Sequence, residues 1–274
     1  MNKVIAIQGA EGSNHHKVAH DFYGSTIELK ECMSFDVLVD SLLDGSATYG
    51  VMALENTIAG SIIPNYALID NNNLHIVGEE YLNIHHHLMC LKGQKTENIK
   101  EVWSHPMALL QCKEFFKKHP HIKLVEDVDT AEVAKRIANK NLKGIAAIAP
   151  KIAAEIFDLA VIEDEIQTIK DNSTRFVIVQ IAQPESKPEV NKASLKFQLN
   201  HKRGSLAAIL NVLSDCKMNL TKIQSLPVIE KPWKYSFFVD VTFESYKDYQ
   251  KAQAIIEIMA EEFKILGTYK NGRK

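Results

Sequence analysis

Short apolar runs and amphipathic stretches alternate along the first two-thirds of the chain. Val4–Ile7, Thr48–Leu54, Glu101–Ser104, Gly144–Ala149 and Arg175–Ile181 read as strands. The last two are continuous apolar runs of the kind that are buried on both faces. Between them, helical spacing runs up to Tyr23, from Pro106 through Phe116, and from Asp129 to about Asn139. Asp129-Thr130-Ala131-Glu132 places a cap residue three positions before a Glu, the spacing of a capping box. Strands alternating with helices predict an open α/β fold with largely parallel sheets.

The pattern changes after Ala182. The stretch Ala182–Asn191 holds two prolines among polar residues with no period, which marks a linker. It separates a unit of about 180 residues from one of about 80, and both are plausible domain sizes. The second unit opens with strict alternation over Ser194–Leu199. A helix pattern follows from Gly204-Ser205, then strands at Leu220–Ser225 and Tyr235–Phe243, a helix over Tyr246–Phe263 and a last strand at Lys264–Tyr269. This βαββαβ order predicts a ferredoxin-like domain. All catalytic candidates lie before the linker, so a chain ended near Gln183 is expected to fold and act alone.

Composition narrows the classes. The 274 residues are 46% hydrophobic and 24% charged, an ordinary globular mix. The 32 Lys+Arg nearly balance 34 Asp+Glu, for a net charge of −2, so no bulk field draws nucleic acid or an acidic membrane. No apolar run is long enough to span a bilayer. Met1–Ile7 is too short for the apolar core of a signal peptide and reads as a buried strand. Cys32, Cys90, Cys112 and Cys216 are scattered without a Cys-x-x-Cys pair, which fits reduced thiols in the cytoplasm.

In α/β folds, ligands sit where strand ends meet helix starts. Five such places carry polar residues: Gly9-x-x-Gly12-Ser13, Glu55-Asn56-Thr57-x-x-Gly60-Ser61, Ser104-His105-Pro106, Asp129-Thr130-Ala131 and Asn172-Ser173-Thr174-Arg175-Phe176. Together they offer backbone amides, hydroxyls, side-chain amides and a guanidinium, which is equipment for holding a small carboxylate. Each also has a plainer reading as a turn, a helix cap or a surface Arg. Glu55-Asn56-Thr57, polar directly after an apolar strand, is the hardest to dismiss. On a strand, His85 and His87 of His85-His86-His87 would share a face with His86 opposed, but no further ligand stands at metal-binding spacing. No Gly-x-Ser-x-Gly elbow supports a hydrolase.

In this order, the motifs resemble monofunctional prephenate dehydratases with a C-terminal ACT domain. The resemblance rests on Glu55–Ser61, Ser104-His105-Pro106-Met107-Ala108-Leu109-x-Gln111-Cys112, Thr130-Ala131-Glu132-x-Ala134 and Asn172–Phe176. In the second unit it rests on Asn219-Leu220-Thr221-Lys222-Ile223 and Pro232–Asp240. Three motifs depart from the family pattern. The first loop reads Gly9-Ala10-Glu11-Gly12-Ser13-Asn14-His15-His16 for Gly-Pro-x-Gly-Thr-Phe-Ser-His, Thr57 replaces Ser, and Met107 replaces Gln.

The resemblance implies an α/β chain with a two-lobed catalytic domain over 1–182, like type II solute-binding proteins. Lobe one would be about 1–77 plus 170–182 and lobe two about 78–169. A βαββαβ ACT domain would follow over 193–274. It implies decarboxylative dehydration of prephenate to phenylpyruvate in L-phenylalanine biosynthesis, with no metal or other cofactor. The reaction must help a poor leaving group, so the site needs carboxylate anchors and a donor at the departing hydroxyl. Thr174 would act on that hydroxyl and Arg175 would anchor a carboxylate. Glu55 would be either a second acid or a cap of the following turn. Asn56, Thr57, Ser104, Thr130, Asn172, Phe176 and Ser13 would bind substrate.

L-phenylalanine would inhibit through the ACT domain at Gly204, Ser205, Leu206, Asn219, Leu220, Gln224 and Ser225. Gln224-Ser225-Leu226-Pro227 replaces the family's Glu-Ser-Arg-Pro, losing one charge of each sign together. A homodimer or homotetramer is implied. The competing reading is a non-catalytic sensor with a solute-binding-like cleft; a periplasmic binding protein is opposed by the short apolar start.

Overall fold

The computed structural model describes residues 3–183, 189–200, 202–228, 231 and 233–273. The linker residues Pro184–Pro188, and Pro232, lie outside the described residues. The chain opens with β1 (Val4–Gln8), α1 (Asn14–Tyr23), β2 (Glu28–Cys32), α2 (Phe35–Leu43), β3 (Tyr49–Asn56), a two-residue β4 (Gly60–Ser61), α3 (Ile63–Asn71) and β5 (His75–Asn83). It continues with β6 (His87–Cys90), β7 (Glu101–Ser104), α4 (Pro106–Gln111), α5 (Lys113–Lys117), β8 (Lys123–Glu126), α6 (Thr130–Asn139), β9 (Ile145–Ala149), α7 (Lys151–Ile156) and β10 (Ala160–Glu163). The long β11 (Ser173–Gln180) follows. The last part comprises β12 (Lys192–Gln198), α8 (Ser205–Asp215), β13 (Asn219–Pro227), β14 (Tyr235–Thr242), α9 (Tyr246–Met259) and β15 (Glu262–Tyr269).

Three sheets result. The first runs β2-β1-β3-β11-β5, with β4 paired to β3; the second runs β10-β6-β9-β7-β8; the third runs β13-β14-β12-β15. In the first, β1 pairs in parallel with β2 and β3. The second is mixed: β7 is parallel to β8 and β9, while β6 is antiparallel to both β9 and β10. The apolar run Ile145–Ala149 explains its layering, because Ala146 and Ile148 face one core while Ala147 and Ala149 face the other. The third sheet has the βαββαβ order, with Ala193, Leu195 and Phe197 packed with Ile209, Leu213 and Ile256 of its helices.

Contacts group the chain into two compact units, Met1–Gly60 with Tyr81–Phe176, and Ser61–Glu80 with Val177–Lys274. The second unit thus holds α3 and most of β5 beside the third sheet. Two expectations change at the element level. The helix over Pro106–Phe116 breaks at Cys112 into α4 and α5. The last helix stops at Met259 rather than Phe263, since Phe263 and Ile265 alternate with Lys264 and feed the third sheet, where Phe263 pairs with Phe197.

Candidate active site

The first unit gathers the polar strand ends. β3 and β11 are neighbours, and their ends are stitched twice. Thr57 N–H donates to the Ser173 carbonyl at 2.9 Å, and Ser173 N–H donates to Thr57 Oγ1 at 2.9 Å. This puts Asn56 beside Asn172 and Thr174. Asn56 Oδ1 accepts from the backbone N–H of Ile58 (3.0 Å) and Ala59 (2.8 Å). Two backbone donors fix which end of the amide is oxygen. Its Nδ2 therefore donates, to Asn172 Oδ1 at 2.6 Å and to Thr174 Oγ1 at 2.9 Å. Asn172 Nδ2 in turn donates to Gln111 Oε1 at 3.1 Å, and Gln111 Oε1 also meets His86 Nε2 at 2.8 Å.

The chemistry of this row follows from its direction. Thr174 Oγ1 accepts from Asn56, so its own proton is left to donate elsewhere. Thr174 is 6% exposed and Asn172 1%, so the row is held in a low-dielectric setting where each bond is stronger. Alternation along β11 puts Thr174 and Phe176 on one face and Arg175 on the other. Phe176 meets the His15 ring edge-on at 5.0 Å, and Phe35 packs on His15 at 5.6 Å. Burial there drives the His15 pKa down to about 3, so this imidazole is neutral at working pH. Arg175 is buried and partnered within the structure, and Glu55 is half-buried and likewise partnered.

The other candidates divide. Ser13 is the N-cap of α1, accepting from His16 N–H at 3.2 Å. Ser104 is fully buried at the end of β7, and its hydroxyl donates to the Ile148 carbonyl at 2.8 Å. That commits its single proton to bracing β7 against β9. Thr130 is the first residue of α6. Its neighbour Asp129 caps the helix through Glu132 N–H at 2.8 Å and also accepts from the amides of Ala10 and Ala131. Burial raises the Asp129 pKa, against the lowering effect of those amides. A Cβ on Gly9, whose φ is +90°, would lie 2.6 Å from Asp129 Oδ2, so this meeting of the β1–α1 loop with the α6 cap requires glycine.

Gln111 and His86 carry no signal of a site role in the sequence, although Gln111 stands within the Ser104–Cys112 motif. His85 and His86 lie between β5 and β6 rather than on a strand, and only His87 opens β6. His87 Nδ1 meets Asp164 at 3.0 Å and His85 Nδ1 meets Glu165 at 3.2 Å, while His86 turns to Gln111. Among the described residues no group of three or more His, Cys, Asp or Glu is placed to hold a metal. A cavity of about 320 Å³ is lined by Asn14, Lys17, Asn83, His85, His87 and Lys151, among others, and by none of the candidate residues.

In the second unit, Gly204 caps α8 with φ +84°, and Ser205 Oγ donates to the Lys202 carbonyl at 3.0 Å. Ser205 and Leu206 line a cavity of about 120 Å³ together with Asn200, Trp233, Tyr235 and Phe237. Asn219, Leu220, Gln224 and Ser225 lie along β13, at the sheet edge, and do not line it. Gln224 Nε2 donates to the neighbouring Ser225 carbonyl at 3.0 Å.

The polar ends of β3 and β11, joined by a row of amides that closes on the Thr174 hydroxyl, form the strand-end cluster of a mixed α/β chain with two sheet lobes. Residues 5–184 match the family described as prephenate dehydratase, and the chain belongs to that family. An arogenate dehydratase/prephenate dehydratase of Arabidopsis thaliana is 34% identical over 278 residues, covering 97% of this chain and 72% of the relative. The solved prephenate dehydratase of Arthrobacter aurescens, in complex with L-Phe, has the same fold with a TM-score of 0.85 at 22% identity, over 98% of this chain and 90% of that one. A solved chain described as GqqA, a novel type of quorum quenching acylase, matches with a TM-score of 0.86 at 25% identity, over 98% of each chain.

Proposed function

We infer that the strand-end cluster of the first unit carries out the reaction of the family: prephenate loses CO2 and its ring hydroxyl to give phenylpyruvate, the last carbon skeleton before L-phenylalanine. The bond to the departing carboxyl breaks and its electron pair enters the ring. The C4–O bond breaks with its pair leaving on oxygen, and one proton completes the water. Aromatisation supplies the driving force, so the site must stabilise the leaving oxygen.

The observation that carries this reading is the fixed direction of the row. Ile58 and Ala59 N–H orient Asn56, Asn56 donates to Thr174, and Thr174 is thereby set to donate outward. A threonine hydroxyl is too weak an acid to lose its proton outright. It stabilises the leaving oxygen by a preorganised hydrogen bond, worth roughly 10²–10³ in rate. Thr57 accepts from Ser173 N–H and keeps its own proton for a substrate oxygen. Thr130 offers a second hydroxyl beside the α6 N-terminus, and Arg175 supplies positive charge for the dianion. Glu55 is the reserve acid, Phe176 walls the site, and Ser13 and Ser104 brace the loops that bound it.

L-phenylalanine binding by the ACT domain is supported by the βαββαβ order and by the cavity at Ser205 and Leu206. The Arthrobacter aurescens relative was solved with L-Phe. The domain division after Ala182, a homodimer or homotetramer, and a cytoplasmic setting complete the proposal. Among the described residues no helix is long and apolar enough to cross a membrane.

The test is the full chain with prephenate at neutral pH, read as phenylpyruvate absorbance in alkali, with arogenate in parallel and L-phenylalanine as inhibitor. Phenylpyruvate formation that L-phenylalanine suppresses is expected. No product from either substrate would overturn the enzymatic reading and favour the sensor. Full activity at millimolar L-phenylalanine would overturn the regulatory one.

A further inference from the structure

Resting on the reading above, we propose that His86 is a positioning residue: by donating from Nε2 to Gln111 it anchors the far end of the hydrogen-bond row whose near end holds Thr174 as a donor. His86 is 5% exposed and lies between β5 and β6. Its hydrogen-bond partners are Gln111, Gln167 and the Ile166 amide, not Thr174. It meets Gln111 Oε1 at 2.8 Å, two residues up the row from Asn56.

The direction of the row is set from the backbone outward. The amides of Ile58 and Ala59 cannot reverse, so Asn56 must present Nδ2 to Asn172 and Thr174. Asn172 must then present Oδ1 to Asn56 and Nδ2 to Gln111. Gln111 must present Oε1, because its own Nε2 there would set donor against donor. An oxygen already accepting from Asn172 is matched at His86 only by an N–H. His86 is therefore the Nε2–H tautomer, and its Nδ1 is left buried without a partner. Burial lowers its pKa, more than the Gln111 contact raises it, in keeping with a neutral ring.

The surrounding chain keeps this ring in place. His86 N–H donates to Gln167 Oε1 at 2.9 Å, and Ile166 N–H to the His86 carbonyl at 2.8 Å. Thr168 N–H donates to the Gln111 carbonyl at 2.9 Å, and Ile84 N–H to that of Asn172 at 2.7 Å. The segment leading into β11 is thus bound to both His86 and Gln111. With the His86 donor removed, Gln111 Oε1 keeps only its bond from Asn172 and the Gln111 side chain is less firmly held. Looser placement of Gln111 passes to Asn172, and through Asn56 to the hydroxyl of Thr174.

The test compares His86→Met with His86→Gln in the full chain, using prephenate turnover and thermal melting. His86→Met is expected to lower kcat about tenfold with KM within about twofold, the signature of disturbed positioning rather than lost binding. His86→Gln, which restores an N–H, is expected to stay within about threefold of the parent kcat. Parental kcat in His86→Met overturns the proposal. So does an equal loss of kcat in both variants, because His86→Gln keeps an N–H for Gln111 and would then rescue nothing. Should His86→Met not fold, the ¹⁵N shifts of the His86 ring in the parent chain decide: an Nδ1–H tautomer overturns the proposal and Nε2–H supports it. A parent chain that does not turn over prephenate fails the functional reading instead, and the tautomer still tests the row.

Discussion

A single neutral ring shows how residue-level burial becomes pH dependence. His15 sits between Phe35 and Phe176 with its pKa lowered to about 3, against about 6.5 in the unfolded chain. Above pH 6.5 both states hold it neutral and it adds no slope. As pH falls toward 3, only the unfolded state takes the proton, so stability declines by about 1.4 kcal/mol per pH unit from this group. Urea midpoints of His15→Phe from pH 7 to pH 4 are expected to fall less steeply than the parent's by one proton's slope. Equal slopes would mean that His15 is charged in the fold. Sequence could not show this: His15-His16 reads as polar, and only the meeting of α1 with β11 makes the site apolar. Thr174 and Asn56 were legible because they stand in ordered motifs at strand ends. The direction of their hydrogen bonds was not, since it depends on Ile58 and Ala59 amides in a tight turn.

Elements with one strong signal were readable. The cap at Asp129, the strand Glu101–Ser104 and the βαββαβ order all stand where the pattern put them. Those with mixed burial went unread: β2 (Glu28–Cys32) is a polar edge strand, and α3 has no apolar stripe. Asp129 also shows what local reading misses. The spacing named it a cap of α6, and the structure adds the Ala10 amide and the contact with Gly9. Removing an N-cap typically costs about 1 kcal/mol. Asp129→Ala is expected to exceed that, at about 2–3 kcal/mol, because a further buried amide loses its acceptor. Gly9→Ala should destabilise as well, through its positive φ and the clash with Asp129. Denaturant unfolding of both variants checks this, and a loss under 1 kcal/mol in each would remove the junction.

Across the whole molecule, the most consequential feature is the polar face of the third sheet. Alternation over Ser194–Leu199 puts Ser194, Lys196 and Gln198 on one face of β12. Both faces are buried, and Lys192 and Lys196 meet Glu79 and Asp70 of the same unit at 2.8 and 2.6 Å. Lys264 joins Asp70 at 2.9 Å, and Lys222 donates to Ser61 Oγ at 2.8 Å. Lysines marked for solvent thus find carboxylates more than a hundred residues away, a pairing that no local pattern encodes. The Lys192–Glu79 pair is almost wholly buried, with side chains 3% and 0% exposed. Lys192→Met leaves Glu79 short of its cation and is expected to cost about 3–5 kcal/mol, whereas Lys192→Met with Glu79→Leu recovers most of it. Thermal and urea unfolding would show this, and a single variant as stable as the parent would contradict it. For the same reason a chain ended near Gln183 loses the sheet that covers α3 and β5. It is expected to be less stable than the full chain, even where it still folds and turns over prephenate.

These scales converge on the Thr174 hydroxyl, held as a donor by an oriented asparagine. The most direct test is steady-state turnover of prephenate by Thr174→Val, which keeps the shape of the side chain and removes the hydroxyl. A kcat lower by at least about 10²-fold is expected, with KM little changed and unfolding near that of the parent. A kcat within a few-fold of the parent's would contradict it and take Thr174 out of the chemistry.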